Sequence, residues 1–301
     1  MSLEAEGRDR SASVSTLLGG LRHSHQPPRA SIRYESEPPP LPLRPPDRVY
    51  DDLRIWDGGD ELFLQYASDV RARVSDDQAC IGGGSDHLDV AFARLFHPTV
   101  THLLAGHGRF VLHAAVAVRR SHGVLMLGHT GSGKSTLGLA AVHAGWRLLG
   151  DDLAVVRLAP GGAEVSGIAR RTALPGDLGT EALIGCRPLP GDHRNRWELP
   201  ADRLGGGWHP LAAVILSAHS GSAAGQLRRE EAHGVLEMAL ASFTSVVNPP
   251  HLRRFLPCAA ALARLPGWRL LLGADPRTRL AGAGELLERV AAATVPTSVR
   301  S

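Results

Sequence analysis

From Val49 to about Ile81, apolar and polar residues alternate in short runs. Leu53-Arg54-Ile55-Trp56 and Leu62-Phe63-Leu64-Gln65-Tyr66 flank Asp57-Gly58-Gly59-Asp60, which has the composition of a hairpin turn. Val70-Arg71-Ala72-Arg73-Val74 repeats with the period of two of a half-exposed strand. A β-rich segment is expected here. Beyond Gly82-Gly83-Gly84 the period lengthens: Leu88, Val90, Ala91 and Leu95 predict a helix over about 86–96, with a second helical stretch over about 98–105.

The chain then becomes apolar on both faces. Residues 109–118 predict one almost unbroken strand, and a turn at 119–123 joins it to a second apolar run at 123–128, so the two are expected to form a hairpin. Leu137, Leu139, Ala140, Ala141 and Val142 predict a helix that stops at Gly145. Short strands are expected at 146–150, 153–158, 211–216 and 268–272, and helices near 230–242 and 281–292. No internal repeat is visible. The fold class expected is α/β. Residues 1–46, with Pro38-Pro39-Pro40, Pro42, Pro45 and Pro46 among Ser, Arg and Glu, predict a disordered tail. The remainder divides into a β-rich segment with helices (47–105), a larger α/β domain (106–293) and a C-terminal tail (294–301).

Composition narrows the field without deciding it. The 301 residues are 43% hydrophobic and 21% charged, ordinary for a globular protein with a substantial core. A net charge of +3, with arginines scattered in pairs such as Arg119-Arg120 and Arg228-Arg229, does not suggest a nucleic-acid partner. Cys80, Cys186 and Cys258 lie far apart without metal spacing, as expected of reduced thiols. The fifteen histidines form no H-x-x-x-H pattern, so no structural metal site is expected. The polar N-terminus has no apolar signal core and no run is long enough for a bilayer, so the expectation is a cytoplasmic protein without a membrane partner.

Among the basic residues there is a single lysine, Lys134, in Gly128-His129-Thr130-Gly131-Ser132-Gly133-Lys134-Ser135-Thr136. The run fits G-x-x-x-x-G-K-[ST], a phosphate-cradling P-loop. A compact ammonium reaches over a tight loop to phosphate oxygens where a planar guanidinium would not fit. Strand, glycine loop and helix N-terminus together point backbone N–H groups and a helix dipole at an anion. The motif implies a nucleoside triphosphate with Mg²⁺: Ser135 is the expected hydroxyl ligand, Thr136 the first helical residue behind it, and His129 fills a position the motif leaves open.

Asp151 and Asp152 follow the lysine by 151 − 134 = 17 residues, across one helix and one strand. A crossover of that length is expected to lay the next parallel strand beside the P-loop strand, with its end at the phosphates. Two carboxylates there can divide the holding of Mg²⁺ and the taking of an acceptor's proton. The plainer alternative is a Gly-Asp-Asp hairpin turn. His113 is either a satisfied strand histidine or a partner that tunes one of the aspartates.

Taken together, His113 on a strand, the loop 128–136, Ala144-Gly145-Trp146-Arg147-Leu148-Leu149-Gly150 and Asp151-Asp152 resemble the C-terminal catalytic domain of the HPr kinase/phosphorylase family. The resemblance covers about residues 109–158. It implies a P-loop fold related to phosphoenolpyruvate carboxykinase and transfer of phosphate from ATP to a protein serine. Carried over, Lys134 and Ser135 bind phosphate and metal, Asp151 or Asp152 serves as base or metal ligand, and His113 supports the base. The family's metal-binding glutamate is matched by Glu164, at a shorter distance. The family usually has Ser-Glu where this chain has Ser135-Thr136, and the N-terminal segment is unlike the regulatory domain of the HPr enzymes. The chain more closely resembles the divergent HPr-kinase-related proteins, some of which work beside peptide-modifying enzymes and phosphorylate a serine on a precursor peptide. Family members are commonly hexamers, so a homo-oligomer is left open. A small-molecule kinase and a non-catalytic ATP-binding switch are the competing readings.

Overall fold

The structure is a computed structural model that describes residues 2–5, 30–35, 37–50, 52–59, 61–67, 69–83, 88–167, 173–175, 186–188, 196–244 and 249–295. The chain forms two units, Met1–Phe110 with Thr244–Arg254, and Val111–Phe243 with Phe255–Ser301. The division expected at 105/106 thus falls at 110/111, and a segment distant in sequence returns to the first unit.

The first unit is a seven-stranded sheet of β1 (Ser2–Ala5), β2 (Ser31–Glu35), β3 (Arg48–Tyr50), β4 (Leu53–Asp57), β5 (Leu62–Tyr66), β6 (Val70–Val74) and β7 (Gln78–Gly83), in the order β1-β2-β7-β6-β5-β4-β3. The hairpin and the alternating strand fall where the pattern puts them, with Ile55, Leu62, Leu64, Val70, Ala72 and Val74 buried on one face. Helix α1 (Leu88–Gly106) packs on β6 and β7 and adds Leu95, Val100 and Leu103 to that core.

Two expectations are corrected here. The two helical stretches form one helix with Pro98 inside it. A proline removes one helical N–H and crowds the preceding turn, but the buried residues on either side hold the helix to the sheet through that position. The second correction concerns the tail. Residues 31–35 form β2, parallel to β7, with Ile32 and Tyr34 buried and the Tyr34 hydroxyl donating to the Gly83 carbonyl at 3.2 Å. Burying two such side chains, at roughly 1.5–3 kcal/mol each, works against the entropy of ordering a short strand. Residues 6–29 of the expected tail lie outside the described residues.

The second unit is α/β. Its strands are β8 (Arg109–His113), which begins in the first unit, β9 (Ala115–Arg119), β10 (His122–Leu127), β11 (Arg147–Gly150), β12 (Leu153–Ala159), β13 (Gly162–Gly167), β14 (Ala173–Pro175), β15 (Arg187–Pro188), β16 (Arg196–Glu198), β17 (His209–His219), β18 (Gln226–Glu230) and β19 (Gly267–Leu272). Its helices are α2 (Lys134–His143), α3 (Ala232–Ala241), α4 (Pro249–Ala263), which begins in the first unit, and α5 (Pro276–Thr294). The main sheet runs β11-β9-β10-β17-β13-β12-β8, with β19 also on β17 and β18 on β19; β14-β16-β15 form a small separate sheet.

β10, β17 and β19 are parallel neighbours. Helices α2 and α5 pack together, and Leu137, Leu139, Ala283, Leu287 and Val290 join Val124, Met126, Ala213 and Ile215 in one core. Val295, expected in the C-terminal tail, is buried against it. No helix among the described residues is long and apolar enough to cross a membrane.

Candidate functional site

The strand expected over 109–118 is two strands. β8 ends at His113 and β9 starts at Ala115, because the His113 N–H donates to the Ser242 carbonyl (2.7 Å) and the Ala114 N–H to the Asp152 carbonyl (3.1 Å). β9 then pairs antiparallel with both β10 and β11. The strand after α2 is therefore parallel to β10, as the crossover requires, but β9 lies between them. That corrects the expected side-by-side placement. Two reversals cancel: Ala115 stands opposite Met126, and Val116 opposite Gly150. The glycine loop and the acidic pair share one edge of the sheet.

The loop is folded by its glycines and held by its neighbours. Gly131 and Gly133 have φ of 77° and 93°, a conformation that costs any side chain. A Cβ on Gly128 would lie 2.4 Å from Ser132 Oγ and 2.6 Å from Ser217 Oγ, and one on Gly133 would lie 2.1 Å from Leu272 Cδ1. The Ser132 and Ser217 hydroxyls are 2.8 Å apart, and Ser217 Oγ donates to the Leu127 carbonyl at 3.1 Å. A ring nitrogen of His219 sits 2.9 Å from the Gly131 carbonyl. Ser217 and His219 escaped the sequence reading. The signal was there: polar residues ending the apolar run 211–216, at the end of a strand parallel to β10, where open α/β sheets gather their ligand contacts.

Helix α2 begins at Lys134, two residues before Thr136, the expected first helical residue. Its first N–H groups have no partner within the helix. At the other end, Gly145 N–H to Val142 carbonyl (3.0 Å) and Trp146 N–H to Ala141 carbonyl (2.9 Å) close the helix in the Schellman pattern, Gly145 taking φ 81°. The buried Lys134 curls back over its own loop, and its Nζ donates to the carbonyls of Gly128 (2.8 Å) and His129 (3.0 Å). Burial lowers its affinity for the proton, and the charge of Asp152 acts in the opposite direction. Ser135 is half-buried and Thr136 buried; His129, Thr130 and Gly131 are exposed, and Ser132 is half-buried.

Asp151 and Asp152 turn between β11 and β12, Asp151 half-buried and Asp152 exposed. His113 Nδ1 lies 3.1 Å from Asp152 Oδ1. With the proton on Nδ1, the imidazole donates to the carboxylate and fixes its orientation. The site thus collects an ammonium, a hydroxyl, backbone amides, two carboxylates and a histidine from β8, the 128–133 loop, α2 and the β11–β12 turn. Glu164 is not among them. It stands opposite Arg157 in the β12–β13 ladder, 157 − 152 = 5 positions beyond Asp152, or about 17 Å at 3.3 Å per residue. Its Oε2 is engaged by Arg157 Nε at 2.8 Å and by the same guanidinium's terminal nitrogen at 2.7 Å.

Solved structures of similar fold include one kinase/phosphatase. The Hpr(Ser) kinase/phosphatase from Coxiella burnetii matches 60% of this chain and 94% of its own, at 16% identity and a TM-score of 0.31. A likeness of that depth decides nothing about chemistry. No family model matches the chain, and no curated protein does.

Proposed function

We propose that this chain is a Mg²⁺-ATP-dependent kinase that transfers the γ-phosphate to a serine hydroxyl of a protein or precursor peptide. The observation that carries this reading is the sharing of one sheet edge by the Lys134 loop and the Asp152–His113 pair. Lys134 Nζ rests on two neutral carbonyls. Phosphate oxygens are stronger acceptors, since the bond is then charge-assisted on both sides. The loop amides and the first turn of α2 supply the rest of an anion cradle.

Ser135, Asp151 and Asp152 offer hydroxyl and carboxylate oxygens, a hard donor set that suits Mg²⁺. When bound, the ion neutralises charge on the β- and γ-phosphates. In the proposed division Asp151 works with Ser135 at the metal, and Asp152, oriented by His113, is the base. The serine oxygen attacks phosphorus in line, the bond to the β-phosphate bridging oxygen breaks, and the serine proton passes to Asp152.

The test is transfer from γ-labelled ATP with Mg²⁺ into an extract of the producing cells. Wild type is compared with Lys134→Ala and Asp152→Asn. A labelled serine-containing band with wild type alone supports the proposal and delivers the acceptor. Label entering only a small molecule would move the reading to a small-molecule kinase. Nucleotide binding without any transfer would leave an ATP-binding switch.

A further inference from the structure

A second cluster lies in the first unit, and the proposed transfer uses none of it. Asp76, His102 and His251 each place one ligand atom within 4.8 Å of the others. They come from three places: the β6–β7 turn, the last turns of α1 and the first turns of α4. Three local features bring them together. The turn is closed by the Ser75 N–H on the Gln78 carbonyl at 2.8 Å, and Asp77 Oδ1 lies 3.2 Å from His107 Nε2, leaving Asp76 to face the other histidines. Gly106 has no side chain to hold the turn away; a Cβ there would lie 3.2 Å from Asp76 Oδ1.

Both imidazoles are buried, at 3% and 2% exposure, with ring centroids 4.4 Å apart. Among the described residues, the Nδ1 atoms of both have no hydrogen-bond partner. One unpartnered buried ring nitrogen calls for an explanation. Two on neighbouring rings, in one cluster with a carboxylate, point to a shared electrophile. The carboxylate sits beside Gly106, the last residue of α1. A helix C-terminus repels an anion and attracts a cation, so a bound cation would remove that conflict.

We propose that Asp76, His102 and His251 bind a divalent first-row transition ion of the zinc class, with solvent completing its coordination. Two imidazoles and one carboxylate form a ligand set that zinc takes, with a water in the fourth position. A tetrahedral ion at about 2.0–2.2 Å from its ligands sets those atoms about 3.4 Å apart, so the cluster contracts by roughly an ångström on loading. Burial lowers the proton affinity of both rings, the His102 imidazole to about 4 with His251 acting in the same direction; Arg254 also lowers both, and Asp76 and Asp57 act against it. Neutral imidazole is the form that ligates. The thiols compete poorly: burial pushes Cys80 and Cys258 up to about 12. A bound ion would fasten the returning segment 249–254 to α1 and the β6–β7 turn.

The test uses the full chain stripped with chelator and titrated with Co²⁺, followed by its visible absorption, then with Zn²⁺ as competitor. One equivalent is expected in the wild type and in Asp152→Asn, which leaves this cluster intact. His102→Gln and His251→Gln should bind about a hundredfold more weakly or worse, since loss of even an outer partner of a metal ligand costs 10- to 100-fold. Exposed Asp76→Asn leaves the fold in place and should bind at least tenfold more weakly. If the wild type holds Co²⁺ and Zn²⁺ no better than the double His102→Gln/His251→Gln variant, or if Asp76→Asn binds like wild type, the site is a packed histidine pair and the proposal is overturned.

Discussion

Consider replacing Gly133 by alanine. Its φ of 93° lies in the left-handed region, which costs an L side chain about 1–2 kcal/mol. The added Cβ would stand 2.1 Å from Cδ1 of Leu272, whose side chain is 1% exposed. Overpacking of this kind typically adds about 1–3 kcal/mol, so Gly133→Ala should destabilise the protein by about 2–5 kcal/mol. Denaturant unfolding measures this as a shift in midpoint at unchanged slope. The two causes separate in a cycle. Leu272→Ala alone should cost about 2–5 kcal/mol through its cavity, while the double variant loses the clash and keeps the backbone strain. The double should therefore fall short of the sum by about 1–3 kcal/mol. A single variant within about 0.5 kcal/mol of wild type would refute the loop conformation. Strict additivity would refute the Leu272 contact. Because the loop leads directly into Lys134, nucleotide affinity should fall in the single variant and stay low in the double.

The remaining predictions concern other contacts of the second unit. His113→Ala should leave stability within about 0.5 kcal/mol, because both members of the pair are substantially exposed, at 37% and 57%. Phosphoryl transfer should nevertheless drop by about tenfold or more, with nucleotide affinity unchanged and an altered pH profile; an unchanged profile would remove His113 from the site. Glu288 accepts from Trp146 Nε1 at 2.6 Å and from Arg119 at 3.0 Å, tying α5 to the turn after α2 and to β9. Glu288→Leu orphans the indole N–H of a tryptophan that is 1% exposed and should cost about 2–3 kcal/mol, against under about 1 kcal/mol for Glu288→Gln, in the same unfolding assay. The Arg269 guanidinium bonds Glu230 and holds its carboxyl below the ordinary 4.5. A depressed carboxylate stabilises the fold above its unfolded value and stops doing so as pH falls through the lower folded one. Unfolding measured from pH 7 downward should thus show a loss of stability below about 4.5 that Arg269→Gln flattens; a parallel loss in the variant would contradict the pairing.

How much of this was legible in the sequence depended on the range of the interaction that decides each feature. The β4–β5 hairpin and the end of α2 at Gly145 are settled within a few residues, by Asp57-Gly58-Gly59-Asp60 and by the Schellman bonds to Ala141 and Val142. Pattern reading finds such features. β2 and the passage of α1 through Pro98 depend on burial against distant strands, and there local composition points the wrong way. Helix α4 gave no usable sign either: it carries Pro257 inside it and starts with Pro249-Pro250.

The site itself depends on the longest-range feature of all. Nothing in residues 109–118 marks a break: Ala114 and Ala115 suit a continuous strand, and there is no glycine or proline between them. What divides the run is two backbone bonds to partners far along the chain, Ser242 and Asp152. The break also frees β9 to insert between β10 and β11, a pairing no local period can encode. Its consequence is chemical. Once the Ala114 N–H is bonded to the Asp152 carbonyl, the residue before Ala114 and the side chain of Asp152 are forced to be neighbours, and the 3.1 Å approach of His113 to Asp152 follows from the backbone. The strand break is thus the device that mounts the histidine on the carboxylate. A substitution that mends it, such as Ala114→Val with its stiffer and bulkier side chain at a fully buried position, should disturb His113 and Asp152 together.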